Sequence, residues 1–220
     1  MHDFSFDVAH MLAGMMVLVS LMMLYQVRMA ALINMLALHA GILAFAMAWQ
    51  AAIQNAPQLY ITAVIALGFK AILIPWALKR IVVRLGIHRE IETVFGIMPT
   101  MLAGVGLVAL SLDVMLPVTT QADPVARQDV ALALSIVLVG LLLMVTRRNA
   151  VSQVVGFLAV DNGISLAATG ARGMPLVVEL SVAFSILVAL IVIGVFLFRI
   201  RERFDTVDVH VLDQFRGERR

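Results

Sequence analysis

The sequence predicts an all-α integral membrane protein, a bundle of seven transmembrane helices with the N-terminus outside and the C-terminus in the cytoplasm. Three observations predict it. Of 220 residues, 62% are hydrophobic and 14% charged, whereas a soluble domain is about 45–50% apolar and about 25% charged. Seven apolar stretches follow one another, each long enough for a helix across about 30 Å of hydrocarbon. Lys and Arg fall thirteen to two between the alternate connections, and an excess of basic residues marks cytoplasmic loops.

The spans run Val8–Tyr25, Ala30–Ile53, Gln58–Ala77, Met98–Val118, Val130–Thr146, Ala150–Gly170 and Leu176–Phe198. Helices are expected because a single crossing segment must satisfy its own backbone hydrogen bonds. Barrel strands of about ten residues with alternating polarity do not occur in the pattern. Asn55-Ala56-Pro57, Asp123-Pro124 and Gly173-Met174-Pro175 punctuate the outer connections. The N-terminal segment carries Asp3 and Asp7 without Lys or Arg, unlike a secretory signal.

Arg28, Lys79, Arg80, Arg84, Arg89, Arg147 and Arg148 lie on one side, together with six arginines of the C-terminal tail; Arg127 and Arg172 lie on the other. Residues 1–198 form one transmembrane domain, and 199–220 a basic cytoplasmic tail. Cysteine is absent, which excludes disulfides and thiolate-held clusters within the chain. Nothing in the pattern suggests nucleic-acid binding.

Ionisable groups within spans are expensive and mark functional sites by default. Depth follows from the distance to each span's basic end, at about 1.5 Å per residue. His39 lies about 16 Å past Arg28, Lys70 about 13 Å before Lys79, Asp161 about 20 Å past Arg148, and Ser185 about 21 Å before Arg199. Four polar groups on four helices thus reach the middle of the bilayer, but depth does not say whether they face one another. Lys70 lies deeper than its side chain can snorkel, roughly 6 Å. As structural contacts, Asp161 would tie helices together and His39 would satisfy a core hydrogen bond.

Lys70 and Asp161 share one hydrated interior path in this reading; they need not touch, since water or a side chain of another subunit could link them. Asp113 and Glu179, near outer span ends, read as interfacial carboxylates. His10 sits at a different depth from His39, which argues against an axial haem pair. Fourteen methionines fill packing and lipid-facing surface. Pro75, five residues beyond Lys70, removes a backbone hydrogen bond and should disturb the third helix, where Gly68 adds local freedom. Asn162 and Gly163 extend the polar stretch that begins at Asp161.

The segment RRNAVSQVVGFLAVDNGISLAA, Arg147 to Ala168, resembles the K subunit of respiratory complex I. Arg147, Arg148, Asn149, Gly156 and Asn162 match its pattern in place. That family's glutamate would fall at Leu158, whereas the carboxylate here is Asp161, about one turn later and on nearly the same helix face.

Seven spans make the chain similar to a longer relative, component E of the hydrogenase-4 type, which also occurs in formate hydrogenlyase-like complexes. Its acidic-Asn-Gly motif resembles Asp161-Asn162-Gly163, and its lysine followed at five residues by proline resembles Lys70 and Pro75. Leu36-Ala37-Leu38-His39 looks like its second-span motif with His for Gln, and the tail from Thr206 to Gly217 resembles its cytoplasmic ending. The family often carries an acid where Ser185 stands, and this chain has Glu179 earlier in the helix. The last three helices, within about 130–198, resemble the K subunit.

The resemblance implies a non-catalytic subunit of the bacterial cytoplasmic membrane, without redox centres of its own. Its partners would be antiporter-like membrane subunits, a helix-anchoring membrane subunit and a hydrogenase-like peripheral arm. Iron–sulfur clusters, and nickel–iron in the large subunit, would belong to those partners. It implies a proton path through Lys70, Asp161 and His39, supported by Asn162, Ser185, Glu179 and Pro75, with Arg147 and Arg148 on the cytoplasmic rim. Two other classes stay open: the small membrane subunit of a multisubunit cation/proton antiporter, and a structural spacer.

Overall fold

The computed structural model describes residues 2–84, 91, 94–118 and 124–170, and Ala183, Leu187 and Gly194 beyond them. The regular elements among the described residues are helices, without strands: α1 (His2–Tyr25), α2 (Met29–Gln54), α3 (Pro57–Ile65), a π-helical segment (Ala66–Leu73), α4 (Ile74–Arg84), α5 (Ile97–Val118), α6 (Pro124–Thr146) and α7 (Ala150–Gly170). The π segment joins α3 to α4 without a break, so these elements make six rods. Among the described residues, five stretches are long and apolar enough to cross a membrane: Asp7–Tyr25, Met29–Gln54, Pro57–Val83, Ile97–Met115 and Ala150–Thr169. Val130–Thr146 is a shorter apolar helix.

The sixth expected span, Ala150–Gly170, coincides with α7. The third rod runs past the expected end at Ala77 to Arg84. The apolar run stops there but the helix does not, because α4 is amphipathic: Ile74, Leu78 and Val82 turn inward while Lys79 and Arg80 face out. The expected seventh span falls mostly outside the described residues, as do Glu179, Ser185, Arg172 and the basic tail. Its described positions Ala183, Leu187 and Gly194 are helical, and a Cβ on Gly194 would stand 3.2 Å from Ile81 Cδ1.

Asn55 ends α2 in the left-handed conformation at φ 51°. Asn tolerates that region better than other side-chain-bearing residues. The Ala56 N–H then closes onto Ala51 O at 3.1 Å, and Pro57 starts α3 where no intrahelical donor is required.

α6 and α7 pack most closely. A Cβ on Gly140 would come within 2.9 Å of Val160 N, and one on Gly156 within 2.9 Å of Met144 N. Only glycine allows backbones this near, the usual device of helix pairs in lipid. Their seam fixes the rotation of α7, sending Asp161 and Asn162 toward α2 and the third rod.

At one end, three connections are stitched together. Ile91 N–H donates to Val27 O at 2.8 Å, and Val94 N–H donates to Thr146 O at 2.9 Å. Arg147 is buried there, and its Nη2 donates to Met23 O at 3.3 Å and Leu24 O at 2.6 Å, capping the C-terminal carbonyls of α1. Burial lowers the Arg147 pKa from the ordinary arginine value. At the opposite end Gln54 Nε2 donates to Thr169 O at 3.1 Å, tying α2 to α7.

The core has two apolar layers. One, toward the stitched end, includes Met23, Leu24, Ile33, Leu36, Ile74, Leu78, Leu143 and Leu158. The other includes Met16, Val17, Leu43, Met47, Ala66, Ile136 and Leu166. Ser20 on α1, His39 on α2, Lys70 on the third rod, and Asp161, Asn162 and Ser165 on α7 are buried and lie in sequence between members of these layers.

Candidate functional site

Between the apolar layers lies a buried polar layer. Lys70 Nζ stands 2.8 Å from Asp161 Oδ2 and donates to Ser165 Oγ at 2.8 Å. Lys70 is 3% exposed and Asp161 8%. The ion pair is therefore direct, a contact that depth along the sequence left open. An ammonium buried without its counter-charge would cost several kcal/mol, and the carboxylate is that counter-charge. Asp161 and Ser165 lie four apart on α7 and so share a face. Thr169 Oγ1, a further turn on, donates to Ser165 O at 2.5 Å.

His39, fully buried, builds the second half of the layer. Ser20 Oγ donates to Met16 O at 2.9 Å, so it accepts from His39 Nε2 at 3.0 Å. Asn162 Nδ2 donates to His39 Nδ1, also at 3.0 Å. This set of donors and acceptors holds a neutral imidazole with its proton on Nε2. Because Asp161 and Asn162 are neighbours, the Ser20–His39–Asn162 chain and the Lys70–Asp161–Ser165 chain run side by side across four rods.

The backbone beneath Lys70 is unusual. Ile74 N–H bonds to Phe69 O, five residues back, as a π-helix requires. Pro75 has no N–H to offer in either register. The disturbance expected from Pro75 thus takes the form of a π-helical segment carrying Lys70. Such segments often coincide with functional positions.

Of the expected pathway residues, Lys70, Asp161, His39 and Asn162 come together, and Pro75 sits one turn from the pair. Ser185 and Glu179 lie outside the described residues. Arg148 is exposed at the stitched end, while Arg147 is buried as a cap and presents no surface there. Asp113 is exposed, toward the other end of α5. Ser20 and Ser165 complete the layer and were not singled out in the sequence. Ser20 lies about 12 Å from Arg28 by the same arithmetic, but a hydroxyl costs little in a helix and gives no composition signal. Among the described residues, no three His, Cys, Asp or Glu side chains gather in a metal-ligand set.

Fold and site together define, among the described residues, a bundle of long apolar helices with a buried polar layer at mid-length. The chain is similar to "Uncharacterized protein Rv0085" of Mycobacterium tuberculosis, 32% identical over 206 residues that cover 93% of this chain and 94% of the relative. The chain belongs to the same family as that protein. No protein-family model matches the chain, and no solved structure does.

Proposed function

We propose that the chain is a non-catalytic membrane subunit of a hydrogenase-4-like or formate hydrogenlyase-like redox complex related to complex I. In this reading it crosses the bacterial cytoplasmic membrane seven times, N-terminus outside and C-terminus inside. It contributes part of a mid-membrane proton path that couples electron transfer to proton translocation. The observation that carries the reading is the Lys70–Asp161 pair, buried midway along apolar helices beside the Ser20–His39–Asn162 chain. Buried ionisable groups at that depth are expensive and belong by default to ion or proton pathways.

The chemistry suits that role. Transfer of one proton from the Lys70 ammonium to the Asp161 carboxylate converts a charged pair into a neutral one. In a low-dielectric layer, such a change alters what neighbouring charges feel far more than it would in water. His39 bonds through both ring nitrogens and supplies a second proton-exchanging group alongside. The partners in this reading are antiporter-like and helix-anchoring membrane subunits and a hydrogenase-like arm, and the iron–sulfur and nickel–iron centres are theirs.

The test is purification of the tagged chain from native membranes under mild conditions, with identification of what accompanies it. Hydrogenase-like and iron–sulfur subunits in fixed proportion are the expected result. Antiporter subunits alone would shift the assignment to a cation/proton antiporter. Recovery of the chain by itself from intact membranes would end the proposal.

A further inference from the structure

The outward face of α4 has no role in the buried layer. Trp76, Lys79, Arg80 and Val83 are exposed at helical spacing, while Ile74, Leu78 and Val82 are buried behind them. The third candidate span, Pro57–Val83, has 27 residues, about 40 Å of helix against about 30 Å of hydrocarbon. Its last turns therefore reach the headgroup zone. They do so at the stitched end, where Arg28 and Arg148 are also exposed.

Arg80 is held in a particular way. Its Cζ lies 4.6 Å from the centroid of the Trp76 ring. A guanidinium seated over an indole keeps its N–H edge free, and that edge matches two oxygens of a phosphate. Lys79 adds a second cation on the same face, and an exposed tryptophan prefers the membrane–water boundary.

We propose that Trp76, Lys79 and Arg80 form a binding site for the phosphate of an anionic phospholipid headgroup at this end of the bundle. The site rests on the membrane reading above. The chain contains two tryptophans, so Trp49→Phe leaves Trp76 as sole reporter. The full chain carrying that change is reconstituted in vesicles of phosphatidylcholine and phosphatidylglycerol at equal mole fraction. Brominated acyl chains are placed on one lipid or the other, and Trp76 fluorescence is read.

Phosphatidylglycerol should quench Trp76 preferentially. The apparent preference should fall about fivefold for each charge removed in Lys79→Gln and Arg80→Gln, and fall with added salt. Flotation and thermal unfolding of each variant confirm insertion and folding. Equal quenching by both lipids in floating, folded protein overturns the site and leaves the membrane reading intact. Loss of the preference on adding millimolar inorganic phosphate at constant ionic strength assigns the site to a soluble anion and overturns it too. A folded chain that does not float with vesicles overturns the membrane reading, and the site with it.

Discussion

Lys70 and Asp161 meet at 2.8 Å across two helices, buried midway between two apolar layers. Removing one partner leaves the other's charge buried, which ordinarily costs about 3–5 kcal/mol; removing both can be nearly neutral. Lys70→Met and Asp161→Leu should each lower stability in detergent, and the double variant should be more stable than the sum of the two losses. A double-mutant cycle on unfolding in a denaturing detergent measures the coupling. Strict additivity would show that the two side chains are not paired in the folded protein.

The second chain of the layer predicts a different signature. His39→Leu leaves the Asn162 amide and the Ser20 hydroxyl without their buried partner, each at about 1–3 kcal/mol. His39→Gln retains one donor and one acceptor and should lose roughly half as much. Equal thermal stability of the Leu variant and the parent would contradict the neutral, doubly bonded imidazole.

Much of this fold is readable from the residues. Asn55-Ala56-Pro57 announces a turn because Asn accepts positive φ and Pro starts a helix. The span at Ala150–Gly170 is bounded by an Arg-Arg-Asn turn and needs no tertiary knowledge. The end of the third rod is not readable from hydropathy, since α4 continues as a helix after its outer face becomes charged. The π segment is legible only as a disturbance around Pro75.

Depth brings His39, Lys70 and Asp161 to one layer, yet the pairing depends on helix rotation. Asp161, Asn162, Ser165 and Thr169 mark one polar face of α7, but the pattern does not reveal that this face meets α2 and the third rod. That face is set by backbone contact at Gly140 and Gly156, a property of two helices together.

The glycine seam carries its own prediction. Gly156→Ala puts a methyl within 2.9 Å of Met144 N and forces α6 and α7 apart, at about 1–3 kcal/mol. The Lys70–Asp161 contact should loosen with it. Thermal unfolding in detergent reports the loss, and the melting temperature should fall. An unchanged melting temperature would mean that the seam tolerates a side chain.

Arg147 makes the clearest stability prediction at the stitched end. Arg147→Met removes the donor to Met23 O and Leu24 O, and the melting temperature of the purified protein should drop by the equivalent of about 1–3 kcal/mol. Arg148→Met, on an exposed residue, should change it by less than about 0.5 kcal/mol. Similar losses in both would place the two arginines in equivalent surroundings.

Membrane orientation is open to a direct check. Reporter fusions after Arg84 and Arg148 should read as cytoplasmic, and those after Asn55, Asp123 and Arg172 as external, following the basic asymmetry. A cytoplasmic signal at Asp123 would overturn the arrangement.

Protons translocated per electron, measured in vesicles and normalised to assembled complex, decide whether the buried pair works or only holds the bundle together. Asp161→Asn keeps the shape and removes the proton site; Asp161→Glu keeps the proton site with one more methylene. The proton-path reading predicts that the Asn variant assembles and turns over with a reduced proton-to-electron ratio, while the Glu variant retains the parent's ratio. A full ratio in the Asn variant, together with a full ratio in Lys70→Met, would reduce the pair to a structural tie between α7 and the third rod.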